Sequence, residues 1–236
     1  MIVEELGKQD KKRKFMPIGN TADFAANQEP RCPVVLLLDN SGSMSGQAIQ
    51  QLNQGVAVFK QSVEQDAIAK MRVEVAIVSF GPVVMRQDFV TIDQFVPPQL
   101  DAEDLTPMGE AIEYALDLLE NRKVDYQNSG IQYYRPWVFL ITDGGPNDDW
   151  QNAAQRVRQG ENDKKFSFFA VGVQGADMGI LSQIAPPTRP PLLLNGLDFK
   201  SMFLWLSQSM KQVSHSQPGA TTMVQTAPVG WGQVAT

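Results

Sequence analysis

Short apolar runs alternate along this chain with longer amphipathic stretches. The first run, Val34–Leu38, holds five consecutive apolar residues, and no polar residue interrupts it. Such a run is too short for a helix and is typical of a strand buried on both faces, as in the middle of a parallel sheet. Further strands are predicted at residues 73–80, 83–90, 136–142, 166–173 and 192–194.

Apolar residues that recur three and four positions apart predict helices between these strands. The first helix should end near Asp66, and its apolar stripe consists of Ile49, Leu52, Val56, Phe59 and Val63. A short helix is predicted around residues 178–184. A final helix should run from Asp198, its cap, to about His215.

Two more helices are predicted from their capping residues. Pro107 suits the first turn of a helix, which makes Thr106 the expected cap. Asp148 or Asp149 is expected to cap a helix that ends near residue 160. The polar stretch Arg122–Arg135 between them is interpreted as a surface loop, with an insertion for partner contact as the alternative.

The alternation of strands and helices indicates an α/β fold. We expect a doubly wound, mostly parallel sheet with helices on both faces, and one antiparallel edge strand at residues 83–90. Three segments are predicted: a polar N-terminal arm (residues 1–29), one folded domain (residues 30–215) and a flexible C-terminal tail (residues 216–236).

Composition excludes several classes of function. A net charge of −6 and an isoelectric point near 4.9 disfavour nonspecific nucleic-acid binding. Cys32 is the single cysteine of the 236 residues, which is typical of a reducing cytoplasm. The charged segment Met1–Lys14 is not expected to be a signal peptide, and no apolar run has the length of a membrane span. These features predict a cytoplasmic protein that binds neither nucleic acid nor membrane.

The two ends of the chain carry the residues whose roles stay open. A basic cluster in the N-terminal arm comprises Lys8, Lys11, Lys12, Arg13 and Lys14. It is either a solvated tail or an arm that docks an acidic partner or anionic ligand. Phe15, Ile18 and Phe24 are candidates for tying the arm to the domain. Trp231, in the tail, either folds back or contacts a partner.

The candidate chemistry lies directly after the first strand. Asp39, Ser41 and Ser43 follow Val34–Leu38, with Gly42 between the two serines. In open α/β sheets, ligands bind at the carboxyl ends of the strands. Carboxylate and hydroxyl oxygens suit a hard cation such as Mg²⁺. The sequence therefore predicts an oxygen-ligand metal site at this edge.

The motif Asp39-Asn40-Ser41-Gly42-Ser43 resembles the signature of the von Willebrand factor A domain and its metal-ion-dependent adhesion site. Thr106 and Asp143 look like the threonine and aspartate that this family supplies from two further loops. The resemblance covers roughly residues 30–215. Three segments also look like the bacterial TerY-like subgroup, which is associated with tellurite resistance: residues 30–33, 95–100 and 142–150.

The resemblance implies six strands in the order 3-2-1-4-5-6 and a metal site for Mg²⁺, with Mn²⁺ as the alternative ion. It implies that Ser41 and Ser43 ligate directly and that Asp39 and Asp143 act directly or through water. Thr106 would ligate in one state and act through water in another.

The function that follows is a non-enzymatic, Mg²⁺-dependent protein-binding module. A partner's Asp or Glu would complete the metal shell, and kinase or phosphatase modules of the same operon are candidate partners. The expected setting is an adaptor or scaffold in a bacterial stress response. Two alternatives remain: a Mg²⁺-dependent phosphatase-like enzyme, which lacks a nearby base because His215 is the only histidine, and a structural subunit whose metal only stabilises the fold.

Overall fold

The strands of the structure lie close to the predicted positions. A computed structural model describes residues 21–219 and 232–234. Its strands are β1 (Cys32–Leu38), β2 (Val73–Phe80), β3 (Val83–Thr91), β4 (Trp137–Thr142), β5 (Ser167–Gly172), β6 (Leu192–Leu194) and β7 (Gly232–Val234). They form one sheet in the order β3-β2-β1-β4-β5-β6-β7. The predicted doubly wound α/β fold, with its six strands and their order, is confirmed.

Helices cover both faces of this sheet. They are α1 (Thr21–Ala26), α2 (Gln47–Glu64), α3 (Ala69–Arg72), α4 (Met108–Asn128), α5 (Gln151–Asn162), α6 (Met178–Ile184) and α7 (Phe199–Ser214). Asp198 caps α7 as predicted, because its Oδ1 accepts a hydrogen bond from the Ser201 amide at 3.1 Å. No helix within residues 21–219 is both long and apolar enough to cross a membrane.

The central strand, β1, explains the layered core. It pairs in parallel with β2 and β4, and all of its residues are buried. Val34, Leu36 and Leu38 pack on the face covered by α2 and α7, whereas Val35 and Leu37 pack on the face covered by α4 and α5. Successive side chains of a strand point to opposite faces, so an uninterrupted apolar run supplies both halves of the core.

Both edge strands run antiparallel to their neighbours. At one edge, β3 pairs antiparallel with β2, as predicted. At the other edge, β7 pairs antiparallel with β6 and adds a seventh strand that the sequence pattern did not predict. This strand lies within residues 216–236, the segment expected to be a flexible tail. Trp231 lies outside the described residues, as do Phe15, Ile18 and the basic cluster of the arm.

The prediction of a surface loop in the middle of the chain is partly wrong. The first half of Arg122–Arg135 is not a loop, because α4 continues to Asn128 and its Arg122 and Tyr126 are buried. Their polar atoms contact Glu74, a buried carboxylate on the neighbouring β2, so a polar sequence here is compatible with an interior position.

The predicted caps of α4 and α5 are also partly wrong. Thr106 precedes the N-cap of α4, which is Pro107. Asp148 caps α4 from a distant loop, because its carboxylate accepts hydrogen bonds from the Gly109 and Glu110 amides at 3.0 and 2.8 Å. At α5 the N-cap is Trp150. The backbone amides at the start of a helix can donate to any correctly placed carboxylate, whether or not it is close in sequence.

Close packing between α2 and α7 depends on Gly55. A Cβ on this residue would lie 2.4 Å from the Phe203 ring, so alanine there displaces that ring or moves the helices apart. We expect Gly55→Ala to lower the free energy of unfolding, because overpacking costs about 1–3 kcal/mol and helix propensity returns at most about 1 kcal/mol. Urea denaturation measures the change. Gln54→Ala, at the exposed neighbouring position, is the matched control, and equal stability of the two variants would contradict the packing role.

Candidate metal centre

Three loops meet at the carboxyl edge of the sheet. The first, residues 39–46, follows β1; the second, residues 101–107, precedes α4; the third, residues 143–150, follows β4. Because β1 and β4 are adjacent parallel strands, their C-terminal residues emerge side by side. The predicted donors Asp39, Ser41, Ser43, Thr106 and Asp143 all lie on these loops.

Asp39 is fully buried at the base of the site. Its Oδ1 accepts a hydrogen bond from the Ser41 amide at 2.8 Å, and its Oδ2 accepts one from the Thr142 hydroxyl at 2.5 Å. Burial raises the pKa of the Asp39 carboxyl above its ordinary value, while the hydrogen bonds from Ser41 and Thr142 oppose that rise. The carboxylate is thus held in one orientation by its neighbours.

Ser41, Ser43 and Asp143 form a continuous chain of oxygen atoms. The two serine Oγ atoms are 3.0 Å apart, and Ser43 Oγ donates to Asp143 Oδ1 at 2.7 Å. Asp143 is half-buried, and burial raises the pKa of its carboxyl while the bond from Ser43 opposes the rise. Loops that are far apart in sequence are therefore linked directly through Ser43.

The spacing of these oxygens fits a small divalent cation. Two ligands at right angles, each about 2.1 Å from Mg²⁺, lie about 3.0 Å from each other. The Ser41 and Ser43 hydroxyls are separated by that distance. No group of three or more Asp, Glu, His or Cys side chains placed to hold a metal occurs among residues 21–219 and 232–234. A cation at this edge would therefore depend on hydroxyl oxygens as much as on carboxylates.

Thr106 lies against the loop that carries Asp143. Its carbonyl accepts hydrogen bonds from the Met108 amide at 2.8 Å and from the Asn147 amide at 3.1 Å. Its hydroxyl is close to Gly144, since a Cβ added to that glycine would lie 3.8 Å from Thr106 Oγ1. All five predicted donors are thus placed at one edge, and their role as metal ligands stays a prediction.

Asn40 and Thr142 are two site residues that sequence reasoning missed. The Asn40 side-chain amide donates to the Asp101 carbonyl at 2.9 Å, and the backbone carbonyl of Asn40 accepts from the Glu103 amide at 2.7 Å. Asn40 therefore fastens the first loop to the second. Thr142 orients Asp39 through its hydroxyl. A threonine that ends an apolar strand is a usable signal, but Asn40 has no distinctive pattern.

Glycines permit the close approach of these loops. A Cβ on Gly81, in the β2–β3 turn, would lie 2.7 Å from the Asn40 carbonyl oxygen, so only glycine fits there. The Gly42 amide donates to the Asp104 carbonyl at 3.1 Å. The turn that contains both serines is therefore fixed by backbone contacts on two sides.

His215 is not positioned to act on the serines. It follows the C-terminal end of α7, at the edge of the sheet opposite the three loops. There its Nε2 lies 2.9 Å from Asp66 Oδ2. A serine nucleophile needs a base within hydrogen-bond reach, and this histidine does not provide one.

Comparisons with known proteins match this architecture. A family model described as von Willebrand factor type A domain matches residues 34–203. A search of curated proteins found no match. Among solved structures, proximal thread matrix protein 1 from the mussel byssus superposes with a TM-score of 0.53 at 18% identity, covering 78% of this chain and 49% of that one.

A second solved structure is also similar in fold. The pilus adhesin SpaC from Lactobacillus rhamnosus GG, in its open conformation, superposes with a TM-score of 0.63 at 13% identity. The match covers 79% of this chain and 31% of the adhesin. This chain thus spans about half of the mussel protein and under a third of the adhesin. At these identities the likeness concerns the fold.

Proposed function

The chain belongs to the von Willebrand factor type A domain family, and from that premise we propose that it is a non-enzymatic, Mg²⁺-dependent protein-binding module. Asp39, Ser41, Ser43, Thr106 and Asp143 hold the ion, with Mn²⁺ as an alternative. The carboxylate of an Asp or Glu from a protein partner completes its coordination. The observation that carries the proposal is the chain of oxygen atoms joining Ser41, Ser43 and Asp143.

The donor set explains why an external carboxylate is favoured. Ser41, Ser43 and Thr106 offer uncharged hydroxyls, and both oxygens of Asp39 already accept hydrogen bonds from the protein. When bound, the divalent ion supplies a localised positive charge at a partly exposed position. Asp39 and Asp143 carry two negative charges, but the hydrogen bonds to Asp39 leave few anionic oxygens for the ion, so a carboxylate from a partner gains strong attraction there.

The position of His215 favours binding over catalysis. Hydrolysis by Ser41 or Ser43 requires a base, and the only histidine of the sequence lies at the opposite edge, beside Asp66. In a purely structural role, the ion would stabilise the fold without exposing donors. Ser43 is instead exposed at the surface, which favours contact with a partner.

The proposed setting is the bacterial cytoplasm, with the chain as adaptor or scaffold in a chemical-stress system of the tellurite-resistance kind. Support comes from the three segments that resemble the TerY-like subgroup. Kinase or phosphatase modules of the same operon are the proposed partners. Cys32 is buried, and burial raises the pKa of its thiol to about 12, which agrees with a structural thiol that takes no part in redox chemistry.

Capture of partners from the native host tests the function. Tagged protein is incubated with lysate in Mg²⁺ and, in parallel, in EDTA, and bound proteins are compared by mass spectrometry. A partner retained in Mg²⁺ and lost in EDTA supports the proposal. A partner retained equally in both contradicts the metal-bridged mechanism, and phosphate release from a generic phosphomonoester would instead favour the phosphatase alternative.

A further inference from the structure

The loops around the metal centre carry one sign of charge. Residues 39–46, 101–107 and 143–150 contain no Lys or Arg. Their acidic residues are Asp39, Asp101, Glu103, Asp104, Asp143, Asp148 and Asp149. Asp39 and Asp143 belong to the metal site, and Asp148 caps α4. The remaining acids face solvent, so the approach to the metal is negatively charged.

Exposed acids lie close to the donors on both sides of the site. The Asp104 carbonyl accepts from the Gly42 amide at 3.1 Å, between the two serines of the motif. On the other side, the Asp177 Cβ would lie 3.5 Å from a Cβ added to Gly145, in the loop that follows Asp143. We define the acidic rim as Asp101, Glu103, Asp104, Asp149 and Asp177, all of which are exposed; Asp177 also caps α6, because its Oδ1 accepts from the Ile180 amide at 2.9 Å.

This rim conflicts with a partner that offers only an acidic residue. A lone carboxylate that approaches the ion passes within a Debye length, about 8 Å at physiological salt, of several like charges. Like charges placed opposite each other weaken binding and slow association. The attraction of the ion is therefore opposed unless the partner also brings cations that pair with the rim.

Leu105 adds an apolar contact at the same place. Its side chain is 67% exposed, immediately before Thr106 and immediately after Asp104. If a partner covers this exposed leucine, the complex is stabilised by about 25 cal/mol per Å² of apolar surface removed from water. The surface thus combines a metal position, a negative rim and one apolar side chain.

We propose that the partner presents its metal-binding carboxylate within a basic segment, with Lys or Arg side chains on the acidic rim and an apolar side chain on Leu105. This inference rests on the proposed function and specifies its partner. The rim excludes acidic proteins in general and selects an acid flanked by cations. Specificity of this kind uses repulsion of the wrong partner as well as attraction of the right one.

The chain itself contains a segment of this chemistry, which supplies a probe. Asp10 lies among Lys8, Lys11, Lys12, Arg13 and Lys14. The basic probe is a fluorescent peptide of residues 7–14. One matched peptide has Glu at each basic position, and another has Asn in place of Asp10. The binding protein is the full chain with Asp10→Asn, so that its own arm does not compete as a metal ligand.

Fluorescence anisotropy in Mg²⁺ and in EDTA measures the affinities. We expect the basic peptide to bind in Mg²⁺ at least about tenfold more tightly than the Glu-flanked peptide, with a preference that falls as salt rises. The Asp10→Asn peptide should lose the part of its affinity that depends on Mg²⁺. Asp101→Lys with Glu103→Lys should reverse the flank preference, because these side chains carry charge while their backbone bonds to Asn40 remain.

Two further variants complete the test. Glu64→Lys with Asp93→Lys changes net charge equally, away from the three loops, and should leave the preference unchanged. Leu105→Ser should weaken the binding of a basic probe extended by a leucine but not that of the original probe. Equal affinity for the basic peptide and the Glu-flanked peptide in Mg²⁺ would overturn the basic-partner inference and leave the proposed function standing. Loss of Mg²⁺ dependence for every peptide, with calorimetry showing bound metal, would overturn both.

Discussion

Replacing Ser41 and Ser43 together by alanine is expected to lower the affinity for Mg²⁺ by a factor of about 100 or more. Loss of groups that merely orient metal ligands typically costs about 10–100-fold, and here two proposed direct ligands disappear. Isothermal calorimetry on wild type should show one site, and the double variant should show none. Partner capture should be lost with it.

The fold should survive this double substitution. The two hydroxyls bond to each other, and Ser43 also bonds to Asp143, which is half-buried and can turn to water. Asp39 is oriented by the Ser41 amide, which alanine retains, and by the Thr142 hydroxyl, which the substitutions do not touch. Circular dichroism and the melting temperature in EDTA should therefore stay near those of the wild type.

Ser45→Ala is the matched control for the serine pair. Ser45 lies in the same exposed turn, but its hydroxyl donates to the Gly42 carbonyl and belongs to no chain of candidate ligands. We expect it to leave Mg²⁺ affinity within about threefold of wild type, since it touches none of the donors. A folded double variant that still binds Mg²⁺ and its partner would refute the site assignment.

Glu74→Gln is expected to cause the largest loss of stability. Glu74 is buried on β2, where Arg31 Nε donates to its Oε1 at 2.9 Å and Arg122 Nε donates to its Oε2 at 3.0 Å. The Tyr126 hydroxyl donates to Oε2 at 2.5 Å. A neutral amide leaves two buried guanidiniums without their anion, and removal of one partner of a buried ion pair costs about 3–5 kcal/mol.

Aromatic contacts connect the Glu74 cluster to α1, so the loss of Glu74 should loosen that helix. Phe24 of α1 lies beside the cluster, with the Arg122 guanidinium 4.6 Å from its ring centroid and the Tyr126 ring 5.7 Å away. Arg31 also donates to the Asn27 carbonyl at 2.5 Å. The cluster therefore ties the end of the N-terminal arm to the domain, as predicted for Phe24, and Glu74→Gln should increase the proteolytic sensitivity of α1.

Urea denaturation followed by circular dichroism measures this effect. Glu113→Gln is the control, because Glu113 pairs with Arg156 at the surface, where both side chains are about a third exposed. Exposed pairs contribute at most about 1 kcal/mol. Similar losses of stability for Glu74→Gln and Glu113→Gln would show that the burial of Glu74 does not determine the size of the effect. Mg²⁺ affinity of the folded Glu74→Gln protein should be unchanged, since the cluster lies at the edge opposite the metal centre.

The sequence by itself determined the architecture. The sequence pattern predicted strands at 73–80 and 192–194 and a short helix at 178–184, which are the observed bounds of β2, β6 and α6. These signals are local, because a buried strand or helix needs apolar residues at fixed spacing whatever its neighbours are. The motif from Asp39 to Ser43, together with the strand order that the family resemblance implies, likewise placed the candidate donors at one edge.

Tertiary structure alone decided where polar residues are buried. The stretch Arg122–Arg135 has the composition of a surface loop, yet its first half is helical because Glu74, far away in sequence, neutralises Arg122. Asp148 likewise caps α4 although it is far from that helix start in sequence. The pairing of Gly232–Val234 with β6 also depends on an edge that exists only after the sheet has formed. Apolar burial follows a local period, whereas charges, caps and edge strands are satisfied by partners that only the folded chain brings within reach.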